Sequence, residues 1–158
     1  AATGARVLDT PQTPPGLRNL EKYAVRMGGG QNHRMGLSDA ILIKDNHIAA
    51  CGGITAAVSR ARAAVPHLCR IEVEVSDSDG VREALEAGAE VIMLDNMALG
   101  EIREAVALIA GRALVEISGG VGAHNLEPLL AAGADLISVG ALTHSARSVD
   151  ISMRIVNA

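Results

Sequence analysis

The sequence contains no tryptophan, no phenylalanine and a single tyrosine, Tyr23, among 158 residues. Without aromatic platforms a chain cannot stack bases, and a net charge of −4 with scattered Lys and Arg offers no stripe along a phosphate backbone. Nucleic-acid binding is therefore not expected. Only two cysteines are present, Cys51 and Cys69, with neither metal-like nor redox-like spacing, and both are expected to be buried reduced thiols. No apolar run approaches the roughly 20 residues of a membrane span. No basic segment followed by an apolar one opens the chain as an export signal, so the expected setting is cytoplasmic, away from membranes. The sequence also lacks a Ser-His-Asp order, GxSxG, a P-loop and GxGxxG, which leaves covalent hydrolysis and Walker-type nucleotide chemistry without support.

What is present is aliphatic. Hydrophobic residues make up 49% of the chain, mostly Ala, Val, Leu and Ile, and there are 17 glycines. Such a composition suits helices packed closely on a parallel sheet. Strands are expected over 5–9, 40–44, 70–75, 90–95, 113–118 and 135–140. Helical spacing of apolar residues runs through 15–28, 53–65, 78–88, 100–111 and 122–133. Pro15 and Gly16 read as the start of the first helix. Two tags repeat, "LEAGAEVIMLDN" and "LAAGADLISVGA", in which glycine ends a helix and a buried strand follows. The last four strands recur at a near-constant period, that of a βα unit. Six strands point to one domain, residues 1–158, with an α/β fold whose parallel sheet is either open or curled into a barrel, short of the eight strands of a full one. The abrupt opening "AATGARVLD" reads as cut from a longer protein.

In a barrel, chemistry belongs at the C-terminal ends of the strands. Here those ends carry Asp9 and Thr10, then Lys44-Asp45-Asn46-His47, then Glu72 and Glu74. Asp95 and Asn96 follow, then Glu116 with Ser118-Gly119-Gly120, and Gly140. In "RIEVEV", Glu72 and Glu74 share one face and the valines the other. With Asp95 one strand on, they form an acidic cluster suited to Mg²⁺ or sugar hydroxyls, or to an ion-pair network with Lys44 or Arg34. "EISGGV" and "SVGAL" are glycine turns on the last two strands, able to aim main-chain N–H groups at a phosphate with help from the helix that follows. His33 and Arg34 stand behind three glycines, and Arg is suited to carboxylates and phosphates.

Taken together, "PGLRNLEKYAVRMGGGQNHRMGLSDAILIKDNH", "EVEV", "MLDN", "EISGGV" and "SVGALTHSARSVDIS" resemble nicotinate-nucleotide pyrophosphorylase (carboxylating), also called quinolinate phosphoribosyltransferase. The likeness extends in order from about residue 7 to residue 153. It implies an open, incomplete TIM-like α/β barrel of parallel strands, with the family's N-terminal sandwich domain absent from this chain, and homodimers in the complete protein. A barrel without that domain exposes apolar surface, so poor solubility or self-association is expected of it. The implied activity is that of a type II phosphoribosyltransferase. With Mg²⁺, quinolinate and phosphoribosyl pyrophosphate give nicotinate mononucleotide, pyrophosphate and CO₂ in NAD biosynthesis.

Position by position, the resemblance makes Lys44, Glu74 and Asp95 catalytic, with Glu74 and Asp95 facing the ribose hydroxyls and the metal. His33 and Arg34 would bind the quinolinate carboxylates, with Lys44 near both substrates and Thr10 among the binding residues. Ser118, Gly119, Gly120 and Gly140 would hold the 5′-phosphate, with His144 nearby. Two departures stand out. The family has Asp directly after the third strand, where this chain has Ser76. In the first loop the family has Asp-Thr-Arg-Lys-Thr-Thr-Pro-Gly-Leu-Arg, where this chain has Pro11 and Gln12 in place of the Arg-Lys pair and Pro14 in place of a Thr. Two charge-assisted contacts of about 1.5–3 kcal/mol each are thereby missing. Two other readings follow: a catalytically silent member that binds a phosphosugar or carboxylate, and a related transferase for another planar acid.

Overall fold

A computed structural model describes residues 4–156. Six strands, all parallel, form one sheet: β1 (Arg6–Leu8), β2 (Ile41–Ile43), β3 (Ile71–Val75), β4 (Val91–Asp95), β5 (Leu114–Ser118) and β6 (Leu136–Ser138). Each coincides with an expected segment. The order across the sheet is β1-β6-β5-β4-β3-β2, so the first strand lies beside the last and the sheet stays open between β1 and β2. Gln31 partly fills that gap with a single bridge to Leu8.

The helices are α1 (Arg18–Met27), α2 (Asp45–Cys51), α3 (Ile54–Ala64), α4 (Ser78–Glu86), α5 (Leu99–Ile109), α6 (Leu126–Leu130) and α7 (Ala141–His144). None is long and apolar enough to cross a membrane. Alternation along the strands divides the protein into two interiors. Ile71, Val73, Val75, Ile92, Leu94, Val115, Ile117 and Ile137 face outward and are buried under Ala57 and Val58 of α3, Val81 and Ala84 of α4, and Ile102, Ala105 and Ile109 of α5. The small alanines allow close helix–sheet approach. The inner face has its own apolar floor of Leu8, Val91 and Leu136. Leu42 and Met93 also point inward, but the other inward positions toward the C-terminal ends are polar: Glu72 and Glu74, Glu116, Ser138, Asp95 and Ser118. The opposite rim is fastened by ordinary ties, Glu90 Oε2 accepting from Ile71 N (2.8 Å) and Asp135 Oδ2 from Val115 N (2.9 Å).

Several local expectations need correction. Pro15 and Gly16 do not start α1. Leu17 N donates to Pro14 O (3.1 Å) and Gly16 has φ 80°, so the two residues occupy the corners of a type II turn, where Pro fixes the first and only Gly suits the second. The helix read over 122–133 shrinks to five residues. Pro128 lacks an N–H and must lie in a first turn, while Asn125 holds the preceding turn by accepting from Gly122 N (2.9 Å) and donating to Gly120 O (3.1 Å). Cys51 and Cys69 are free but only half-buried. Large apolar side chains do lie open to solvent, among them Leu17, Leu20, Tyr23 and Met27 along one side of α1.

Candidate active site

The C-terminal ends of the strands hold most of the expected residues, sorted into separate groups. A cavity of about 280 Å³ opens between Thr10, Gln12, Ser118, Gly119, Gly120, Gly140 and His144. Gly119 and Gly120 have φ of 88° and 59°, conformations that glycine adopts without strain. The expected help from a following helix is absent at this turn, because α6 begins only at Leu126; the turn presents main chain alone. Gly140 stands close under His144: a Cβ there would come within 2.7 Å of Nε2, so the exposed imidazole would have to shift. His144 Nδ1 shares a hydrogen bond with Ser145 Oγ (2.7 Å), which keeps Nε2 over Gly140. Thr10 Oγ1 is buried without a hydrogen-bond partner, a polar atom left for a ligand.

The proline loop forms one wall of this cavity. Arg18 donates to Thr13 Oγ1 (3.1 Å) and Pro11 O (3.2 Å), and the buried Thr143 hydroxyl donates to Gln12 O (2.6 Å). Gln12 therefore stands, neutral, where the resemblance expects a cation.

A second cleft, of about 490 Å³, is lined by Glu74, Asp95, Asp45 and Asp77. Lys44 Nζ donates to Glu74 Oε2 at 2.5 Å, and Asn96 Nδ2 donates to Asp95 Oδ2 at 2.8 Å. Each carboxylate has one oxygen in a protein bond and no recorded donor on the other. Hard oxygen donors in a wet cleft fit Mg²⁺, which binds through one or two carboxylates, waters and substrate phosphates. Lys44 is set by the unexpected helix α2, whose first turn is closed by Lys44 N donating to His47 Nδ1 (2.9 Å).

His33 lies deeper, its side chain 9% exposed. Its Nε2 is 3.4 Å from both Glu72 Oε2 and Glu116 Oε1, and Ser138 Oγ donates to that same Glu116 oxygen. Burial works against a charged ring, yet the hydrogen bonds and charges of Glu116 and Glu72 outweigh it and raise the His33 pKa to about 9. Burial above all raises the Glu72 carboxyl, whose Oε1 has no partner. The trio has the spacing of a metal site. Either protonation state argues against one: the neutral ring, with Arg34 N donating to Nδ1 at 2.7 Å, and the charged ring both carry a proton on Nε2, where a metal would bind. The cluster is better described as a hydrogen-bonded brace. The expected acidic cluster is thus divided, with Glu72 below and Glu74 and Asp95 above.

Arg34 belongs to neither cleft. It lines a third, of about 480 Å³, along β2 with Leu37, His47 and Arg60, and its Nε is buried without a partner.

Sequence reasoning missed Lys22, which is 1% exposed. Its Nζ donates to Asp9 Oδ1 (2.6 Å) and His33 O (3.2 Å). Asp9, fully buried, also accepts from Asn32 Nδ2 (2.5 Å) and His33 N (2.8 Å). This pair ties β1, α1 and the His33 loop together. Lys22 lies one helical turn before the buried Val25, the only hint of its inward direction.

Comparison with known proteins identifies the family of the fold. Residues 1–154 match the family model described as quinolinate phosphoribosyl transferase, C-terminal domain. The chain is 50% identical over 150 residues to the probable nicotinate-nucleotide pyrophosphorylase [carboxylating] of Bacillus subtilis, covering 95% of this chain and 52% of that protein. It is 46% identical over 154 residues to the nicotinate-nucleotide pyrophosphorylase [carboxylating] of Mycobacterium leprae, covering 96% and 54%. The crystal structure of NadC from Streptococcus pyogenes superposes with a TM-score of 0.91 at 49% identity, covering 96% of this chain and 53% of that one. The chain thus spans about half the length of such relatives. By sequence and by an unclosed sheet of the same shape, the chain belongs to the family of quinolinate phosphoribosyl transferase C-terminal domains.

Proposed function

We propose that the complete protein containing this chain is a carboxylating nicotinate-nucleotide pyrophosphorylase, a pentosyltransferase that joins quinolinate to phosphoribosyl pyrophosphate in NAD biosynthesis. The observation that carries this reading is the cavity of Thr10, Ser118, Gly119, Gly120, Gly140 and His144, which adjoins the carboxylates of Glu74 and Asp95. Asp95 and Ser118 are register partners on neighbouring strands, so the two clefts meet at one rim. One suits a 5′-phosphate and the other a ribose with its diphosphate.

In this reading the pyridine nitrogen attacks the anomeric carbon while the C–O bond to pyrophosphate breaks, its electron pair leaving with the pyrophosphate. Glu74 and Asp95 face the positive charge that develops on the ribose. They would also hold the Mg²⁺ whose charge neutralises the departing diphosphate. Lys44, paired with Glu74, can turn its ammonium to an anionic acceptor. Loss of the 2-carboxylate as CO₂ leaves an electron pair beside the cationic ring nitrogen, and a proton then adds at that carbon. No organic cofactor is required. His33 is held on the acceptor side by Glu72 and Glu116, whereas Arg34 lines the separate cleft along β2. A homodimer that supplies further cations, and a cytoplasmic setting that keeps Cys51 and Cys69 reduced, belong to the same reading.

The test is quinolinate-dependent pyrophosphate release by the complete chain, run beside the double change Pro11→Arg, Gln12→Lys. Slow turnover is expected, with kcat/KM rising at least tenfold in the changed chain, since one charge-assisted contact is worth about 1.5–3 kcal/mol. Absence of release from both overturns the reading. The neutral Gln12 in the phosphate cavity also supports a second reading, a silent phosphosugar binder; tight binding of phosphoribosyl pyrophosphate without turnover would select it.

A further inference from the structure

Asn96 stands directly after β4, exposed, with φ 53°, in the left-handed region that side chains rarely adopt. Its main chain continues the sheet, with Asn96 N donating to Ser118 O at 3.0 Å. Its side chain reaches two places at once. Nδ2 donates to Asp95 Oδ2 at 2.8 Å. A carboxylate only accepts, so the amide nitrogen must face Asp95 and the amide oxygen is turned away from it. The same carboxamide lies against Gly119: a Cβ on that glycine would collide with Asn96 Oδ1 and Cγ. Gly119 begins the turn that borders the phosphate cavity, whereas Asp95 borders the other cleft. Asparagine is among the few residues that tolerate the left-handed backbone, and that backbone is what allows one short side chain to touch both.

We infer that Asn96 is a positioning residue that couples the two ends of the phosphoribosyl pyrophosphate site, fixing the Asp95 carboxylate relative to the Gly119–Gly120 turn. This rests on the proposed function and identifies a residue that the function alone does not assign. Asp95 has one oxygen tied by the amide and the other left toward the cleft. The turn is kept from folding inward by the carboxamide packed against it. A ligand that places phosphate on one side and diphosphate on the other needs both at a set separation, and Asn96 is the side chain that touches both.

Two substitutions in the complete chain separate this role from simple folding. Asn96→Gly keeps the backbone conformation and removes the amide. Asn96→Asp keeps the shape but replaces the donor with a second carboxylate beside Asp95. Calorimetric binding of phosphoribosyl pyrophosphate, with and without Mg²⁺, is read together with steady-state KM values. Asn96→Gly is expected to weaken phosphoribosyl pyrophosphate at least tenfold and to leave the quinolinate KM within twofold, with little change in thermal midpoint. Asn96→Asp is expected to weaken phosphoribosyl pyrophosphate at least as much as Asn96→Gly, again with the quinolinate KM within twofold. Unchanged affinity in Asn96→Gly, equal losses for both substrates, or an affinity in Asn96→Asp equal to that of the unmodified chain would overturn the inference. If the unmodified chain binds phosphoribosyl pyrophosphate without turnover, the proposed activity fails while the coupling is still read from affinity. If it binds none, both fail.

Discussion

Between β5 and β6 the rim of the sheet is made of main chain: Gly119, Gly120 and Gly140, with neighbours that a Cβ would crowd at the first and last of these. Around the rest of that end charged side chains hold one another, Glu116 of β5 among them: Asp9 with Lys22, His33 with Glu72 and Glu116, Lys44 with Glu74. The first region depends on the absence of side chains and carries little that titrates. The second depends on ionisation, and removing one partner leaves a buried charge behind. On the proposed reading, a phosphate, the same in every phosphoribosyl ligand, is served by a rigid backbone cradle, whereas an acceptor acid is bound by side chains, which can be exchanged.

The contrast breaks most sharply at Asp9. Asp9→Ala leaves the Lys22 ammonium buried and unpaired, and a loss of about 3–5 kcal/mol is expected in denaturant titrations. Lys22→Met is expected to cost less, because Asn32 and the His33 amide still hold Asp9. Equal losses would mean that the ion pair, not the three-donor socket, is what matters.

Next in size is Gly119→Ala. Left-handed backbone costs an alanine about 1–2 kcal/mol, and the new methyl must also displace Asn96. At least a tenfold rise in the KM for phosphoribosyl pyrophosphate is expected, with quinolinate unaffected. A matching rise for quinolinate would show that the two regions are not separable.

The smallest effect is one of pH. His33, at about 9 against an ordinary 6.5, binds its proton more tightly when folded. Its contribution is complete below pH 6.5 and is lost as pH climbs through 9. Glu72, also raised, adds a loss of the same sign from its ordinary 4.5 upward. A fall of about 1–2 kcal/mol between pH 6.5 and 9 is expected, less than the roughly 1.4 kcal/mol per pKa unit would give, since protonating Nδ1 forfeits the Arg34 amide. His33→Gln should flatten the curve of thermal midpoint against pH; a curve left unchanged would remove His33 as its source.

All six strands were legible because each is a short segment rich in Val, Ile and Leu between glycine or helical signals, and the central ones are largely buried. The glycine turns that line the smaller cavity were legible for a related reason: they are local text at strand ends. Helix α2 was not, since none of its residues is fully buried and no apolar stripe marks it. Helix α7, only four residues long, is too short for any period to register. The His33 brace joins three distant segments, and a lysine such as Lys22 in the middle of a helix reads as a solvated one. What sequence conveys well here is what neighbours along the chain decide.

The pairing of β1 with β6 has a consequence in time. Strands β2 to β5 each pair with the strand that follows them, but Arg6 waits for Leu136 and Leu8 for Ser138. Closing so long a loop delays the reward for the contacts it brings together. On the ribosome the middle of the sheet can assemble while its first strand stands without a neighbour. The cavity that needs Thr10 from one end of the chain and Gly140 and His144 from the other is then the last part of the molecule to come into being, and until it does, an apolar first strand is the segment that chaperones would have to shield.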